Sequence, residues 1–196
     1  MILSNVAIHR AIDEGRLVIS PEPLPRLPAK GVKCPYQTTA VDLRLGHEIS
    51  FFKDGLAFDI NLNRGSFADM FVANSETEKL APKRPFVLEP NKLVLGKTLE
   101  RIALPLQPEG KVSLAARVEG KSSYARCGLL VHFTAPTIHA GFSGTITLEL
   151  INLGPCPISL YPETPICQLI LEEVAGVPVP NDSQFQGQTT PGGKVQ

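Results

Sequence analysis

The residues whose types and spacing could do chemistry lie between positions 117 and 152. Lys121, Ser122 and Ser123 stand together, and Arg126 follows one helical turn later. If Ser122 or Ser123 begins a short helix that Gly128 ends, free backbone N–H groups, two hydroxyls and two cations meet at its start. Such a group could bind an anion. A capped surface helix explains the same residues equally well, because Ser often begins helices.

Glu149 is the second group that could do chemistry. It lies on the polar face of a predicted strand over residues 145–152, next to Thr147 on that face. Pattern alone is typical of a solvated, outward glutamate. If the side chain lines a pocket instead, partial burial would raise its pKa towards a value suited to proton transfer. His132 and His139 precede this strand, where histidines are more often structural than catalytic.

The sequence lacks the zinc motif of many base deaminases. No His is followed two residues later by Glu, and Pro155-Cys156 lacks the second Cys of a Pro-Cys-x-x-Cys element. Gly120-Lys121-Ser122 resembles the end of a phosphate-binding Walker A loop, but Ala115 stands where that loop begins with Gly. We therefore expect no resident zinc and no Walker A site.

The composition indicates one β-rich domain. The chain has 196 residues, of which 43% are hydrophobic, so it can build a core. Its 19 Lys and Arg balance 19 Asp and Glu, which argues against nucleic acid as a partner. The 18 Pro and 16 Gly are typical of many short strands and turns. We expect no signal peptide, no membrane span and reduced thiols, hence a cytoplasmic location.

The elements that must position these residues can be predicted from periodicity. A helix is predicted over residues 5–14, capped by Ser4 or Asn5 and ended by Gly15. Residues 62–84 are expected to be an irregular excursion. Strands are predicted at about 41–45, 47–52, 86–88, 93–97, 101–104, 111–118, 129–134, 145–152, 157–160 and 166–174. This pattern favours a mostly β jelly roll or barrel over 1–176, followed by a flexible tail or lid over 177–196.

Several motifs together resemble the dCTP deaminases, which are grouped with the trimeric dUTPases. Residues 120–128 are similar to the signature helix of that family, and residues 40–46 are similar to its first β motif. Residues 134–135 and 141–149 resemble its pocket segment, and residues 186–188 resemble its C-terminal motif. The motifs follow the family's order and the resemblance covers most of the chain.

The resemblance implies a fold, an assembly and a reaction. The fold is a distorted antiparallel jelly roll of the dUTPase-like type with a short N-terminal helix, and the assembly is a homotrimer with active sites between subunits. The reaction is the zinc-independent deamination of dCTP to dUTP and ammonia, which feeds dUMP and dTTP synthesis. Mg²⁺ is carried by the triphosphate rather than by the protein, dTTP is a candidate inhibitor, and the tail closes over bound nucleotide.

The same resemblance implies roles for individual residues. Glu149 is the proton shuttle that activates a water for attack on C4 of cytosine. Ser122 and Arg126 orient that water, and the backbone carbonyl of Ala135 helps to hold it. The implied substrate-binding residues are Lys121, Ser123, Thr134, Ile138, His139 and Gln188.

Two departures from the family pattern leave other functions open. The family usually has Asp where His139 stands, and that Asp lies by the deoxyribose and serves the hydrolytic water in dUTPases. The tail also lacks a Lys and a Tyr that the family has near Gln184 and Phe185. A dUTPase, a bifunctional deaminase–dUTPase and a non-catalytic deoxynucleotide-binding trimer are therefore alternatives to the deaminase. An unrelated jelly-roll module accounts poorly for so many motifs in order.

Overall fold

A computed structural model describes residues 1–55, 60–61, 63, 67–180 and 186–192. Within these residues the helices are α1 (Asn5–Asp13), α2 (Phe67–Asn74) and α3 (Ser122–Ala125). The strands are β1 (Val18–Ser20), β2 (Val41–Arg44), β3 (Glu48–Phe52), β4 (Ser75–Lys79), β5 (Phe86–Leu88), β6 (Leu93–Ala103), β7 (Leu114–Gly120), β8 (Leu129–Val131), β9 (Thr137–Ile138), β10 (Ser143–Asn152), β11 (Ile158–Leu160) and β12 (Pro165–Glu173). In this part of the chain, no helix has the length and apolar character needed to cross a membrane.

The strands form three antiparallel sheets around one core. The largest sheet has the order β4-β3-β6-β10-β8, with β1 also paired to β6. A second sheet has the order β2-β12-β7-β9, and β5 pairs with β11 in a third. Leu43 and Leu169 from the second sheet and Leu148 from the largest one are fully buried in one apolar cluster. The prediction of a mostly β, antiparallel fold with a short N-terminal helix is confirmed.

The long β6–β10 pair is the centre of the largest sheet. Along β10, alternate residues are buried in the core and half-buried on the opposite face, as the sequence pattern predicts. The register shifts between Thr145 and Thr147, where β6 carries extra residues. There the hydroxyl of Thr98 accepts a hydrogen bond of 2.9 Å from the backbone N–H of Ile146 and donates one of 2.7 Å to the carbonyl of Glu100. The irregularity is thus hydrogen-bonded inside the core.

Helix α1 follows its sequence signals. The hydroxyl of Ser4 accepts a hydrogen bond from the N–H of Ala7 at the start of the helix. Gly15 follows the helix with a φ of +71°, a conformation that glycine adopts without strain. Ile8 and Ala11 are buried against the core. The predicted helix is therefore confirmed to within one residue at its C-terminal end.

The expectation of an irregular excursion over residues 62–84 is wrong for positions 67–79, which form α2 and β4. Residues 62 and 64–66 lie outside the described residues. Among the described residues, strand β4 pairs with β3 alone and forms an edge of the sheet, and its charged side chains are exposed or half-buried. The sequence of β4, Ser-Glu-Thr-Glu-Lys, has no alternation of apolar and polar residues. Periodicity therefore cannot predict this strand.

Three other strand predictions needed adjustment. The two strands predicted at 93–97 and 101–104 are one continuous strand, β6. The strand predicted at 129–134 ends at Val131, because His132 has a φ of +52° that breaks the extended backbone. The short strands β1 and β9 were not expected, since two or three residues carry too little periodicity.

The loop after α3 packs directly against the loop after β10. The buried side chain of Asn152 donates hydrogen bonds of 2.9 Å to the carbonyls of Leu88 and Cys156 and accepts one from the N–H of Gly154. A Cβ atom on Gly154 would overlap the carbonyl oxygen of Cys127, at the end of the α3 turn. The position of α3 therefore depends on this close backbone contact.

We expect Gly154→Ala to lower the free energy of unfolding by about 1–3 kcal/mol, because the backbone at Cys127 must move to admit the methyl group. Urea unfolding measured by circular dichroism tests this. The matched control is Gly120→Ala, where the new Cβ would lie 3.7 Å from Cβ of Val131, an ordinary contact. Equal stability of the two variants would contradict the packing argument.

Candidate active site

A cavity of about 1340 Å³ lies beside the polar face of β10. Its walls come from β10, the segment before it, helix α2 and residues 186–192 of the tail. Of the residues predicted for the site, Glu149, Ala135, Ile138, His139 and Gln188 line this cavity. The side chain of Glu149 is 32% exposed, so it is neither fully solvated nor sealed in the core.

Glu149 forms a close pair with His132 inside this cavity. Nδ1 of His132 lies 2.7 Å from Oε2 of Glu149, and the backbone N–H of His132 donates a hydrogen bond of 2.9 Å to the carbonyl of Glu149. The His132 side chain is only 8% exposed. Two bonds between the same residues fix the orientation of the carboxylate.

Burial and His132 act in opposite directions on Glu149. Burial alone raises the pKa of the Glu149 carboxyl, but the hydrogen bond and charge of His132 outweigh it, so the pKa lies below its ordinary value. The expectation that a pocket position raises this pKa is therefore wrong for the ligand-free chain. Sequence periodicity placed Glu149 on the correct strand face but favoured a solvated side chain, which is wrong. It could not identify the partner of Glu149, which lies 17 residues away.

Two buried polar atoms in the described part of the chain line the cavity without a hydrogen-bond partner. They are Nε2 of His132 and Oγ1 of Thr147. Unpartnered buried polar atoms are costly, so these two atoms are available to polar groups of a ligand. Neither residue was among the predicted site residues. The signal for Thr147 was its position on the same strand face as Glu149, whereas His132 carried none beyond being a histidine.

The residues of the signature segment do not line this cavity. Ser122 begins α3 as predicted, and Ser122, Ser123 and Arg126 are all exposed. Nη1 of Arg126 donates a long hydrogen bond of 3.3 Å to the carbonyl of Ser122. Thr134 is also exposed and lies outside the cavity lining. Within the described chain, the predicted site residues thus fall into two groups.

Lys121 is held in the fold. Its Nζ lies 2.6 Å from Oδ1 of Asp42, with side-chain exposures of 13% and 2%. Gln168 also donates to Oδ1 of Asp42, at 3.2 Å. The ammonium group is therefore directed towards a buried carboxylate in this conformation, although phosphate binding was predicted for it.

The tail contacts the beginning of β10. The N–H of Gly187 donates to the carbonyl of Ser143 at 2.7 Å, and the N–H of Thr145 donates to the carbonyl of Gln188 at 3.0 Å. The buried side-chain amide of Gln188 donates to the carbonyl of Thr145 at 2.8 Å. The tail therefore lies along the cavity, as a lid would. Gln184 and Phe185 lie outside the described residues.

The sequence matches a family model described as dCTP deaminase-like over residues 2–174. A relative from Natronomonas pharaonis named "dCTP deaminase" is 38% identical over 97% of this chain and 92% of its own length. A relative from Methanosphaera stadtmanae named "dCTP deaminase, dUMP-forming" is 33% identical over 97% and 91%. One from Dictyoglomus thermophilum with that same name is 39% identical over 86% and 78%.

The chain belongs to the dCTP deaminase-like family. The family resemblance deduced from residues 120–128 and 141–149 is confirmed. The fold is also similar to a solved 2'-deoxycytidine 5'-triphosphate deaminase from Agrobacterium tumefaciens, with a TM-score of 0.60 and 20% identity. That match covers 87% of this chain and 47% of the other.

The described residues of this family member contain no group of three or more His, Cys, Asp or Glu side chains placed to hold a metal ion. All four cysteines are free thiols, and only Cys167 is buried. Within the cavity, His132 and Glu149 form a hydrogen-bonded pair of titratable side chains, and the pKa of Glu149 is lowered.

We expect His132→Asn to raise the pKa of Glu149 relative to that of the unmodified chain, because the hydrogen bond and charge of His132 are the main opposition to the effect of burial. Asn is chosen because it tolerates the φ of +52° at this position. Carbon-13 NMR titration of glutamate carboxyls measures the shift, with Glu149→Gln identifying the signal. His139→Asn is the matched control, since His139 lines the same cavity.

The same substitution should change the dependence of stability on pH. In the unmodified chain the lowered pKa of Glu149 adds stability that is lost as pH falls through that pKa. In the variant the pKa lies higher, so this contribution should be smaller and stability should fall less as the pH falls through the acidic range. Identical Glu149 titration curves in the two proteins would contradict the assignment of His132 as the cause.

Proposed function

We propose that this protein deaminates Mg²⁺-bound dCTP by hydrolysis, releasing dUTP and ammonia. The observation that carries the proposal is the carboxylate of Glu149, oriented by His132 and facing a cavity large enough for a nucleotide. The naming of the relatives as dCTP deaminases supports the same substrate. A positioned carboxylate of this kind can act as a general base for water.

In the proposed reaction Glu149 accepts a proton from water as the water oxygen attacks C4 of cytosine. That proton is delivered to N3, and the tetrahedral intermediate then releases the 4-amino group as ammonia after taking up the second water proton. The lowered pKa means that Glu149 is ionised when substrate arrives. Substrate binding then excludes water from the cavity, which raises the proton affinity of the carboxylate as it becomes a base.

The groups that hold the attacking water come from two places in the chain. Ala135 lines the Glu149 cavity, whereas Ser122 at the start of α3 and Arg126 directly after it are exposed. By the family resemblance, all three contact the same water. We propose that a homotrimer brings them together, with α3 of one subunit facing the cavity of its neighbour.

No resident metal is needed in this scheme. The sequence lacks the His-x-Glu and Pro-Cys-x-x-Cys elements of zinc deaminases. Mg²⁺ enters with the triphosphate of the substrate, because it prefers phosphate oxygens and water to an all-protein cage. The chain's own contribution is to bind the nucleotide, orient the water and move protons through Glu149.

A dUMP-forming reaction is the second candidate. It is favoured by relatives from Methanosphaera stadtmanae and Dictyoglomus thermophilum, whose names carry that product. Against it stands His139, which lines the cavity where the family usually has the Asp that serves the hydrolytic water in dUTPases. The carboxylate that would accept a proton from that water is therefore missing at this position. We therefore propose dUTP as the product.

Purified protein incubated with dCTP and Mg²⁺ should form dUTP and ammonia in equal amounts, without pyrophosphate. Ion-exchange chromatography and a coupled ammonia assay measure both products. Glu149→Gln should lower the rate by about a hundredfold or more while leaving the fold intact. Excess 1,10-phenanthroline, a zinc chelator, should not affect the rate.

Each other product pattern has a distinct meaning. Formation of dUMP and pyrophosphate would assign the bifunctional reaction instead. Binding of dCTP without any product would leave the protein as a nucleotide-binding trimer. Full activity of Glu149→Gln would remove this residue from the chemistry.

Active sites between subunits predict complementation. Neither Glu149→Gln nor Arg126→Gln alone should be active, but unfolding and refolding an equal mixture should restore about a quarter of the normal activity, because a quarter of the interfaces in random trimers carry both intact residues. The control is a mixture of Glu149→Gln with Glu149→Ala, which should stay inactive. An inactive first mixture would place both residues in one subunit's site.

A further inference from the structure

We propose that Lys97 is a positioning residue for the deamination, acting through the tail segment of residues 186–192. The inference rests on the proposed function, since it concerns the same cavity. Lys97 does not line the cavity among the described residues. It instead binds the tail that does, and so holds one cavity wall in place.

Lys97 makes two polar contacts through its ammonium group. Nζ donates a hydrogen bond of 2.6 Å to the carbonyl oxygen of Thr189 in the tail. It also lies 2.8 Å from Oε2 of Glu48 on β3, with side-chain exposures of 19% and 20% for the pair. Because both side chains are largely shielded from water, the pair is less screened than a surface ion pair.

The stem of Lys97 is also restrained. Lys97 lies on β6 directly opposite Thr147 of β10, which lines the cavity. A Cβ on Gly46 would come within 3.1 Å of Cγ of Lys97, so the stem passes close to the backbone of that loop. The ammonium group is therefore directed to the junction of β3, β6 and the tail.

The contact falls between the other two attachments of the tail. Before Thr189, Gly187 and Gln188 are hydrogen-bonded to β10. After it, Gly192 approaches the side chains of Phe71 and Val72 in α2. Lys97 thus fixes the chain where it leaves β10 and crosses towards α2.

Loss of this contact should affect substrate binding more than the chemical step. The tail contributes Gln186, Gln188, Pro191 and Gly192 to the cavity wall. Glu149 lies on β10 and His132 directly follows β8, so neither belongs to the tail. A detached tail would open the cavity to water without moving the His132–Glu149 pair. We expect Lys97→Met to raise KM for dCTP on the order of tenfold while kcat changes much less.

The experiment measures dCTP deamination and hydrogen exchange of residues 186–192 for each variant. Lys97→Arg should restore KM, because a guanidinium can donate to both Glu48 and Thr189. Lys92→Met is the matched control, since Lys92 is exposed in the turn just before β6. Lys97→Met should also make the amides of the tail exchange faster without ligand, and Lys92→Met should not.

A second background separates positioning from a structural role. In a chain that ends at residue 185, Lys97→Met should cause no further change in KM, because the tail partner of Lys97 is already gone. The remaining partner, Glu48, does not line the cavity among the described residues. If Lys97→Met does not fold, Lys97→Gln replaces it in both backgrounds. An additional loss in the shortened chain, or unchanged KM or tail exchange in the full chain, would overturn the proposal.

The outcomes also distinguish this proposal from the proposed function. If the unmodified protein forms no uracil nucleotide from dCTP, the proposed function fails, and the role of Lys97 in it fails as well. If the unmodified protein is active and Lys97→Met is indistinguishable from it, only the inference about Lys97 fails.

Discussion

Strand β10 must serve two environments at once, and the site depends on how its register is fixed. Ile146, Leu148 and Leu150 are buried in the core, so the alternation of a strand forces Glu149 to the cavity side. A slip of one residue would exchange these faces and bury the carboxylate. Asn152 opposes this slip at the C-terminal end of the strand, because its buried amide donates a hydrogen bond of 2.9 Å to the carbonyl of Leu88 on β5, and a slip would break that bond.

The His132–Glu149 pair lies where one edge of β10 leaves regular pairing. Strand β8 covers the edge from residue 150 to 152, the N–H of His132 continues it at Glu149, and the tail covers the edge at Thr145. Three separate pieces of chain thus replace one long neighbouring strand. At His132 the backbone leaves the extended conformation, with a φ of +52°. Both the backbone N–H and the ring of His132 contact Glu149 in this conformation.

The sequence predicted those features that depend on interactions between residues close together in the chain. The cap of α1 at Ser4 and the two faces of β10 follow from neighbouring residues, and both could be read directly. The pKa direction of Glu149 and the pairing of Lys121 with Asp42, 79 positions apart, depend on contacts that no local pattern encodes. The separation of α3 from the cavity also depends on contacts between distant parts of the chain, so no local pattern predicts it. Family motifs identified both groups of residues, but a motif does not state which residues of one chain meet.

The Lys121–Asp42 pair limits how an anion could bind near α3. Asp42 is 2% exposed and its Oδ2 has no partner among the described residues, so moving the ammonium to a phosphate would leave a buried charge with only Gln168 beside it. Losing one partner of a buried ion pair costs about 3–5 kcal/mol. Phosphate binding by Lys121 therefore stays a prediction that must overcome this cost, whereas Ser123 and Arg126 are exposed and lose no buried ion pair. In the proposed trimer, an anion shared between them and the cavity of the next subunit would leave the core of each chain unchanged.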